Sequence, residues 1–312
     1  MMNPCFLVGS ERSGTTMLRL MLAQHPDICF HHEFVYSVEK IKENGQFPDI
    51  NSYLKYLSTD RVFQIDSLQI KDSDDYAEIV RDFLVQIQNK TNKRVVGATV
   101  HRNIRHLLKI WPGCKFIHIV RDPRDVTRSY VKMGWGGSVW VAADVWLTLE
   151  KEWSDLVQTL PENQFITVKY EDLVEQPEVV LSELCEFFGV TYNEDMLRYN
   201  EKSTYSKPDV SLAYQWKHKA TEYEVSLVEY KLRNMMLKYN YELSGYKELS
   251  INWTGRISLN IIARKNRLLF SIKKYGLCLK VMDVMSRRLL PLSSFRNWVQ
   301  IKMNVVTNRN LK

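Results

Sequence analysis

The chain has 312 residues, of which 45% are hydrophobic and 25% are charged, a composition typical of a globular protein and not of a disordered one. Its apolar runs are shorter than the roughly 18 residues of a membrane-spanning helix, no signal peptide precedes the first of them, and its five cysteines lack metal-ligand spacing. We therefore expect a cytoplasmic protein without a membrane span, a disulfide framework or a zinc site.

The net charge of +7 is distributed unevenly along the chain. Residues 251–312 contain thirteen Lys or Arg and one acid, Asp283, which gives this segment a charge of +12 and leaves −5 for the remainder. We therefore divide the chain into one domain, residues 1–250, and a basic, mainly helical C-terminal extension, residues 251–312. No nucleic-acid partner is expected.

The first predicted unit is a strand, a glycine-containing loop and a helix, with residues 9–16 reading GSERSGTT in the loop. The spacing of Gly9 and Gly14 lets backbone N–H groups fold around a phosphate, which the positive end of the helix dipole also attracts. A nucleotide-triphosphate loop would have Lys at the position of Thr15, whereas here the cation is Arg12. The loop predicts an anion site of a different kind.

This loop resembles the 5′-phosphosulfate loop of sulfotransferases that use 3′-phosphoadenosine 5′-phosphosulfate (PAPS). Residues 22–27, LAQHPD, and Glu33 are similar to the pattern of the tyrosylprotein and bacterial branch. The resemblance implies PAPS as co-substrate, 3′,5′-adenosine bisphosphate (PAP) as product, and no metal. It assigns the phosphosulfate to five loop residues: Arg12, Ser13, Gly14, Thr15 and Thr16. Arg12 would also stabilise the charge that develops during transfer.

Residues 34–92 are polar and favour a helical, loop-rich region, with clear helical periodicity at residues 76–87. Residues 94–99 and 103–111 then predict a strand and a helix. We expect the acceptor to bind in residues 34–92, which we call the variable region, and at the flexible joint of residues 134–137, GWGG. The acceptor itself is not predicted beyond a hydroxyl or amine, with a small molecule or carbohydrate favoured.

Two residues are candidates for the general base that takes the acceptor proton. By resemblance, Glu33 occupies the position of the catalytic Glu in the tyrosylprotein branch, and His101 lies near the catalytic His of the cytosolic branch. The alternatives are an acid at a helix start and a structural histidine. Many relatives also have a Lys in a K-T-P or K-T-H element, where this chain has residues 98–101, ATVH. Either His101, Arg102 or a lysine of the loop around Trp216 replaces it, or the chain is a weak or divergent catalyst.

A second anion site is predicted after the clearest buried strand, residues 115–120. Arg121 follows this strand and Ser129 lies on the next helix, and both match the 3′-phosphate-binding residues of sulfotransferases. Alternatively, Arg121 pairs with Asp122 or Asp125. An Arg at the carboxyl end of a parallel strand lies where α/β sheets bind ligands, so we favour the anion site.

The remaining pattern alternates strands and helices. A long helix at residues 139–160 has a stripe of Trp residues that predicts core packing. The strand at residues 164–169 runs into Tyr170, whose YEDL element resembles the family's and is assigned to cofactor binding, and an amphipathic helix follows at residues 177–189. This alternation predicts an α/β fold with a P-loop-like parallel sheet flanked by helices.

Residues 203–207 and 212–221 resemble the late loop that closes over the nucleotide in sulfotransferases, which assigns Trp216 and Lys217 to the cofactor. The alternative is a basic surface loop. Residues 222–239 predict the last core helix.

Three functional classes remain open at this stage. The first is a PAPS-dependent sulfotransferase. The second is a P-loop nucleotide kinase or NTPase, which the missing loop Lys and the Arg at the end of the second anion strand disfavour. The third is a nucleotide-binding interaction module without catalysis, which the missing K-T-P lysine keeps open.

The extension alternates apolar and basic residues at helical spacing, and Gly276 and Pro291 divide it into pieces. It could contact a membrane surface or an acidic partner. Alternatively, its apolar side packs on the domain and its charges form a solvated surface. These charges could also meet the −5 domain of the same or a second subunit, which leaves a homo-oligomer open. We favour local packing, because amphipathic helices of soluble proteins mostly bury their apolar face in this way.

Overall fold

The computed structural model describes residues 3–288 and 293–310. It contains a five-stranded sheet whose strands are β1 (Cys5–Val8), β2 (Ile28–Glu33), β3 (Val95–Val100), β4 (Lys115–Val120) and β5 (Phe165–Lys169). The strand order is β2-β3-β1-β4-β5, and every adjacent pair is parallel. Parallel strands are covered on both faces, which explains why β1 and β4 are almost continuously apolar. The predicted α/β fold is confirmed.

Helices connect and flank these strands. In the domain they are α1 (Thr15–Gln24), α2 (Ile50–Leu57), α3 (Arg61–Asp66), α4 (Tyr76–Asn89), α5 (Leu107–Ile110), α6 (Pro123–Lys132), α7 (Val139–Val157), α8 (Tyr170–Glu175), α9 (Pro177–Phe188), α10 (Trp216–Lys219) and α11 (Glu222–Lys238). In the extension they are α12 (Trp253–Tyr275), α13 (Leu277–Arg288) and α14 (Ser293–Asn310). Short 3₁₀ turns lie between several of them, one of which, Ile104–His106, forms the first part of the helix predicted before Trp111.

The central strand shows how the two layers of helices are built. Side chains alternate across a strand, and those of β1 enter two separate apolar clusters. Phe6 packs in a cluster with α4 and α7, whereas Leu7 packs with α1, α8 and α9 on the other face. The Trp stripe of α7 is buried in the core, as predicted.

Strand β2 differs from the prediction, which placed Glu33 at the start of a helical region. Residues 28–33 instead form an edge strand that pairs with β3 through Ile28 to Glu33. The first three residues of β2 are buried and the last three are not, so the strand has the sequence of a short apolar run followed by polar residues. That pattern does not distinguish a half-exposed edge strand from a turn.

The sheet brings the predicted groups to one edge. Loop 9–14 follows β1, Arg121 follows β4, His101 follows β3, and Glu33 ends β2. Because all five strands are parallel, these four groups lie at the carboxyl edge, where open α/β sheets bind their ligands.

The extension contacts the domain through α12 and through α14. On α12, Ala263 lies against Gly137, where an added Cβ would be 2.1 Å from the Ala263 carbonyl oxygen, and Asn266 Nδ2 donates to the Gly137 carbonyl at 2.9 Å. On α14, Asn304 Nδ2 donates to the Thr59 carbonyl at 3.0 Å. Residues 134–137, predicted as a flexible joint, are therefore part of the surface on which α12 packs.

Local packing nevertheless covers only part of the extension, so our preference for it is wrong for most of the apolar side chains. Those that point away from the domain remain exposed, as described below. Gly276 separates α12 from α13 as predicted, while Pro291 lies outside the described residues. Among the helices described, none combines the length and the apolar character needed to cross a membrane.

Candidate active site

The loop between β1 and α1 is shaped for an anion. Arg12 and Gly14 both have positive φ, 77° and 96°, so the backbone turns through the left-handed region twice before α1 begins. Gly14 is the N-cap of α1 and offers no side chain to the first-turn N–H groups. These groups and the positive end of the helix dipole are therefore available to a bound anion.

Tyr170, the first residue of α8, packs against this loop and against Arg121. A Cβ at Gly14 would lie 2.2 Å from Tyr170 Cδ2, so the ring occupies the space that any other residue at position 14 would need. The Arg121 guanidinium lies over the same ring, 4.0 Å from its centre. A cation is attracted to an aromatic face, so Tyr170 holds the loop and Arg121 in one arrangement.

The two predicted anion sites meet. Arg12 Nε donates to Ser129 Oγ at 2.9 Å, which joins the loop to α6. Arg121 donates through Nη1 to the Arg12 carbonyl at 3.3 Å and through Nη2 to the Leu212 carbonyl at 2.6 Å. The cations predicted for the 5′ and 3′ ends of one ligand therefore share a hydrogen-bonded frame.

The acids next to Arg121 are mainly engaged elsewhere. Asp122 accepts from Arg124 Nη2 at 2.6 Å, and Asp125 lies 3.7 Å from Arg121 while accepting the backbone N–H groups of Gln215 and Trp216. Of the two alternative partners of Arg121, Asp122 is therefore excluded, whereas Asp125 makes a long ion pair with it. Burial raises the pKa of Asp125, while the charge of Arg121 lowers it.

Two buried donors near the loop lack a hydrogen-bond partner in the described part of the chain: Ser13 Oγ and Arg121 Nε. Burying a donor without a partner costs about 1–3 kcal/mol, and more for a charged group. An anion bound next to Arg121 would satisfy the Nε donor of that side chain. The residues present therefore fit a phosphate-containing ligand.

A cavity of about 740 Å³ opens at this position, and we call it the basic cavity. Its cationic lining residues are Arg12, Arg121, Arg128, Lys132 and Lys207, and its acid is Asp125. Arg128 and Lys132 were not predicted from the sequence as residues of this site. They lie one residue before and three residues after Ser129 on α6, and only Lys132 has the helical spacing that places it on the same face as Ser129.

Most of the residues assigned to the cofactor line the basic cavity. They are Arg12, Gly14, Thr15, Thr16, Arg121, Ser129 and Tyr170. Trp216 and Lys217 do not line it. The indole of Trp216 is buried, donates to Asp122 Oδ2 at 3.0 Å and stacks on Arg124, while Lys217 Nζ lies 5.0 Å from the ring centre of Tyr214. In this structure both residues make contacts within the protein that fix the late loop, and their assignment to the cofactor stays a prediction.

Glu33 and His101 line two adjoining cavities of about 410 and 330 Å³, which we call the Glu33 cavities. The smaller of them is also lined by Thr15 and Thr16, which line the basic cavity as well. The first turn of α1 therefore forms the wall between the basic cavity and the Glu33 cavities. A group transferred from one side to the other would pass this turn.

Glu33 is available for chemistry. Its side chain is 50% exposed, and its nearest cation is Arg61, with Nη2 at 3.5 Å from Oε2. This distance is at the limit of a hydrogen bond, so the carboxylate is not locked into an ion pair. Glu33 is thus a strand-end carboxylate that faces the cavities.

A cluster of polar side chains fixes the end of β2. The register with β3 shifts between His31 and Glu33, and such a bulge re-aims side chains that would otherwise alternate. Consequently His31 and His32 both contact Asp66, with Nε2 to carboxylate distances of 3.1 and 2.7 Å, and the hydroxyl of Tyr36 donates to the same carboxylate at 2.8 Å. Burial alone would raise the pKa of Asp66, but the bonds from both imidazoles lower it.

His101 is held in one tautomer. Its Nδ1 lies 2.8 Å from the carbonyl oxygen of Gly9, and because a carbonyl can only accept, Nδ1 carries the proton. In the neutral ring the lone pair is therefore on Nε2. His101 is buried beside the loop and lines both Glu33 cavities, so the second base candidate also remains in place.

Two cations, Arg102 and Arg19, lie near residues 98–101, where many relatives have the lysine. Arg102 is paired with Glu11 at 3.1 Å and with Glu39 at 3.9 Å, which occupies its charge. Arg19, which the sequence analysis missed, lies on α1 one turn after Thr15 and lines the smaller Glu33 cavity. Burial lowers the pKa of Arg19, while the charges of Tyr205 and Glu33 act in the opposite direction.

Glu171, which follows the cavity-lining Tyr170, makes the free energy of unfolding depend on pH. It is 1% exposed and accepts from the Asp122 N–H at 3.0 Å and the Tyr241 hydroxyl at 2.9 Å. Burial raises its pKa from 4.5 to about 7. A carboxyl whose pKa is higher in the folded state stabilises the fold fully below its unfolded pKa, and this contribution is lost as the pH rises from about 4.5 to 7.

We predict that Glu171→Gln reduces this loss, which is on the order of 3 kcal/mol in the free energy of unfolding. Urea unfolding at pH 5 and pH 8 measures it in both proteins. The quantity to compare is the change between the two pH values, because the substitution itself alters two hydrogen bonds. An equal change in wild type and variant would contradict the assignment.

Comparison with known proteins agrees with this geometry. The model of the sulfotransferase family matches residues 4–194. A putative protein-tyrosine sulfotransferase of Caenorhabditis briggsae is 24% identical over 210 residues, covering 63% of this chain and 69% of that protein. Protein-tyrosine sulfotransferase 1 of Danio rerio is 26% identical over 210 residues, covering 63% of this chain and 56% of that protein.

Among solved structures, the sulfotransferase domain from the curacin biosynthetic pathway has the same fold, with a TM-score of 0.55 and 21% identity, covering 78% of this chain and 99% of that chain. The family match spans more than half of the chain, from the first strand through β5 and α9. This chain belongs to the sulfotransferase family, and its reaction class is the transfer of a sulfuryl group.

Proposed function

We propose that the chain transfers the sulfuryl group of PAPS to a hydroxyl or amine of an acceptor, with a small molecule or a carbohydrate as the favoured class. The observation that carries the donor assignment is the basic cavity, in which loop 9–14 and the Arg121–Ser129 pair provide two anion sites on one frame. A nucleotide with phosphates at both ends needs this arrangement.

The loop residues Arg12, Thr15 and Thr16 would hold the 5′-phosphosulfate, and Arg121 and Ser129 would hold the 3′-phosphate. Arg128, Lys132 and Lys207 add positive charge around the same ligand. When bound, PAPS supplies the sulfuryl group, and the S–O bond to the phosphate breaks as the bond to the acceptor forms. The fixed cations stabilise the charge left on the phosphate, as preorganised donors do in other transfer reactions.

Glu33 would accept the acceptor proton, since its carboxylate faces the Glu33 cavities without a tight ion pair. His101, whose Nδ1 is engaged by the Gly9 carbonyl, offers its Nε2 as the alternative base. Arg19 would provide the charge that relatives obtain from the missing lysine, because it lines the smaller Glu33 cavity together with Glu33 and the loop threonines.

Arg19→Ala is expected to lower kcat about tenfold, since one charge-assisted contact contributes about 1.5–3 kcal/mol. PAP affinity should change little, because Arg19 does not line the basic cavity. Steady-state kinetics and calorimetric titration with PAP measure the two effects. A larger loss of kcat in Arg102→Ala would give the role to Arg102 instead.

A single series of titrations tests the proposed function. Tight binding of PAP without Mg²⁺, followed by transfer of labelled sulfate from PAPS to any member of an acceptor panel, supports it. The panel should include sugars, small phenols, amines and a tyrosine peptide, since the named relatives are protein-tyrosine sulfotransferases. PAP binding without transfer to any acceptor would support the non-catalytic module, and ATP binding that requires Mg²⁺ would support an NTPase.

A further inference from the structure

The C-terminal extension exposes an unusual share of the apolar surface. Of the 25 large hydrophobic side chains that are exposed in the described part of the chain, 13 lie in the extension. They are Trp253, Ile257, Ile261, Ile262, Leu268, Leu269, Phe270, Leu277, Val281, Val284, Trp298, Ile301 and Val305. Single exposed hydrophobic residues are normal on a protein surface, but a concentration of this kind marks an interaction site.

These side chains form rows. On α12, Trp253, Ile257, Ile261 and Leu268 recur at intervals of four or seven residues and so share one face, while Ala263 is buried against the domain. Leu277, Val281 and Val284 form a row on α13, and Trp298, Ile301 and Val305 form one on α14. Each helix of the extension therefore presents an unpartnered apolar row.

The charge around these rows has one sign. The acid of the extension, Asp283, is 4% exposed and is held by Lys280 at 2.9 Å and Arg287 at 2.6 Å. Its charge is thus neutralised within α13. Arg264 and Lys265 lie within the outward surface of α12, between Ile261 and Leu268. The extension therefore presents apolar rows and positive charge to the same surroundings.

We propose that the extension binds the surface of an anionic lipid bilayer, with the apolar rows at the boundary of headgroups and acyl chains and the basic side chains among the headgroups. A bilayer surface provides negative charge and apolar material together, which complements the positive charge and the apolar rows of the extension. A second copy of the chain would bring two surfaces of the same positive charge together, which opposes that alternative. The proposal does not depend on the reaction at the active site.

The test is sedimentation of the full chain with phosphatidylcholine vesicles, with and without phosphatidylglycerol, at low and high salt. We expect binding to the anionic vesicles at low salt and much weaker binding at high salt or without phosphatidylglycerol. Ile261→Asp should weaken it about tenfold or more, because it replaces a side chain that would be buried in the bilayer. Exchanging Arg264 and Lys265 for Glu should do the same, since each basic side chain near an anionic surface contributes roughly fivefold.

Val179→Asp is the matched control, because Val179 on α9 is 52% exposed, compared with 58% for Ile261, and lies outside the extension. It should bind vesicles like wild type. All variants should keep wild-type thermal unfolding and PAP affinity, which separates membrane binding from the state of the active site. Equal binding to neutral and anionic vesicles, or unchanged binding of Ile261→Asp, would overturn the proposal. So would a dimer in solution that Ile261→Asp dissociates, without any vesicle binding.

Discussion

Glu33→Gln should lower kcat by on the order of 10²–10⁴ and leave PAP affinity unchanged. The amide has nearly the shape of the carboxylate but cannot take a proton from the acceptor. Glu33 lines the Glu33 cavities and not the basic cavity, so the donor should bind the variant normally. Single-turnover transfer of labelled sulfate measures the first effect, and calorimetric titration with PAP measures the second.

His101→Ala is the necessary comparison, and it should lower kcat less than Glu33→Gln. The pH dependence of kcat separates the candidates further, because a carboxylate base loses activity at a lower pH than an imidazole base. If the His101 variant is the less active of the two, and the acidic limb of the profile lies in the imidazole range, the base is His101. Its Nδ1 bond to Gly9 would then be what orients the reactive nitrogen.

Arg12→Ala and Arg121→Ala should each weaken PAP binding about tenfold or more, because each removes a charge-assisted contact to a phosphate worth about 1.5–3 kcal/mol. We expect the double variant to lose less than the product of the two single effects. Arg121 donates to the Arg12 carbonyl, so the two residues share one frame and their effects are not independent. PAP titration of the four proteins forms a double-mutant cycle.

Arg198→Ala is the control for this cycle. Arg198 is exposed, pairs with Asp195 at 3.2 Å and does not line the basic cavity. Its substitution should leave PAP affinity unchanged. Wild-type affinity in both Arg12→Ala and Arg121→Ala would show that the two-anion site is wrong.

The sequence predicts the parts of the sheet that are buried on both faces. β1 and β4 are short apolar runs between glycine- or proline-containing loops, and their positions match the structure. β2 was not predicted because it is an edge strand whose second half is partly exposed and consists of His31, His32 and Glu33. Partial exposure removes the apolar pattern on which such predictions depend. The domain boundary at residue 250, a cytoplasmic location and a homo-oligomer stay predictions.

The candidate site also has some residues that the sequence predicts and others that it does not. The loop and Arg121 follow from local sequence, because each comes directly after a predicted strand, whereas Ser129, within α6, was assigned by the resemblance. Trp216 was assigned by a loose match, and only the tertiary contacts show that its indole N–H is committed to Asp122. Arg19, Arg128 and Lys132 are scattered along helices, so their convergence depends on the sheet order and not on any motif.

The contact of Tyr170 with both Gly14 and Arg121 has a consequence for redesign of the donor site. A larger residue at position 14 would collide with the ring, and a smaller residue at position 170 would remove the platform beneath Arg121. Positions 14, 121 and 170 lie far apart in the chain but constrain one another through a single aromatic ring. A library aimed at a new donor would therefore need to vary the three codons together, since single changes leave the other two residues fitted to a surface that is no longer there.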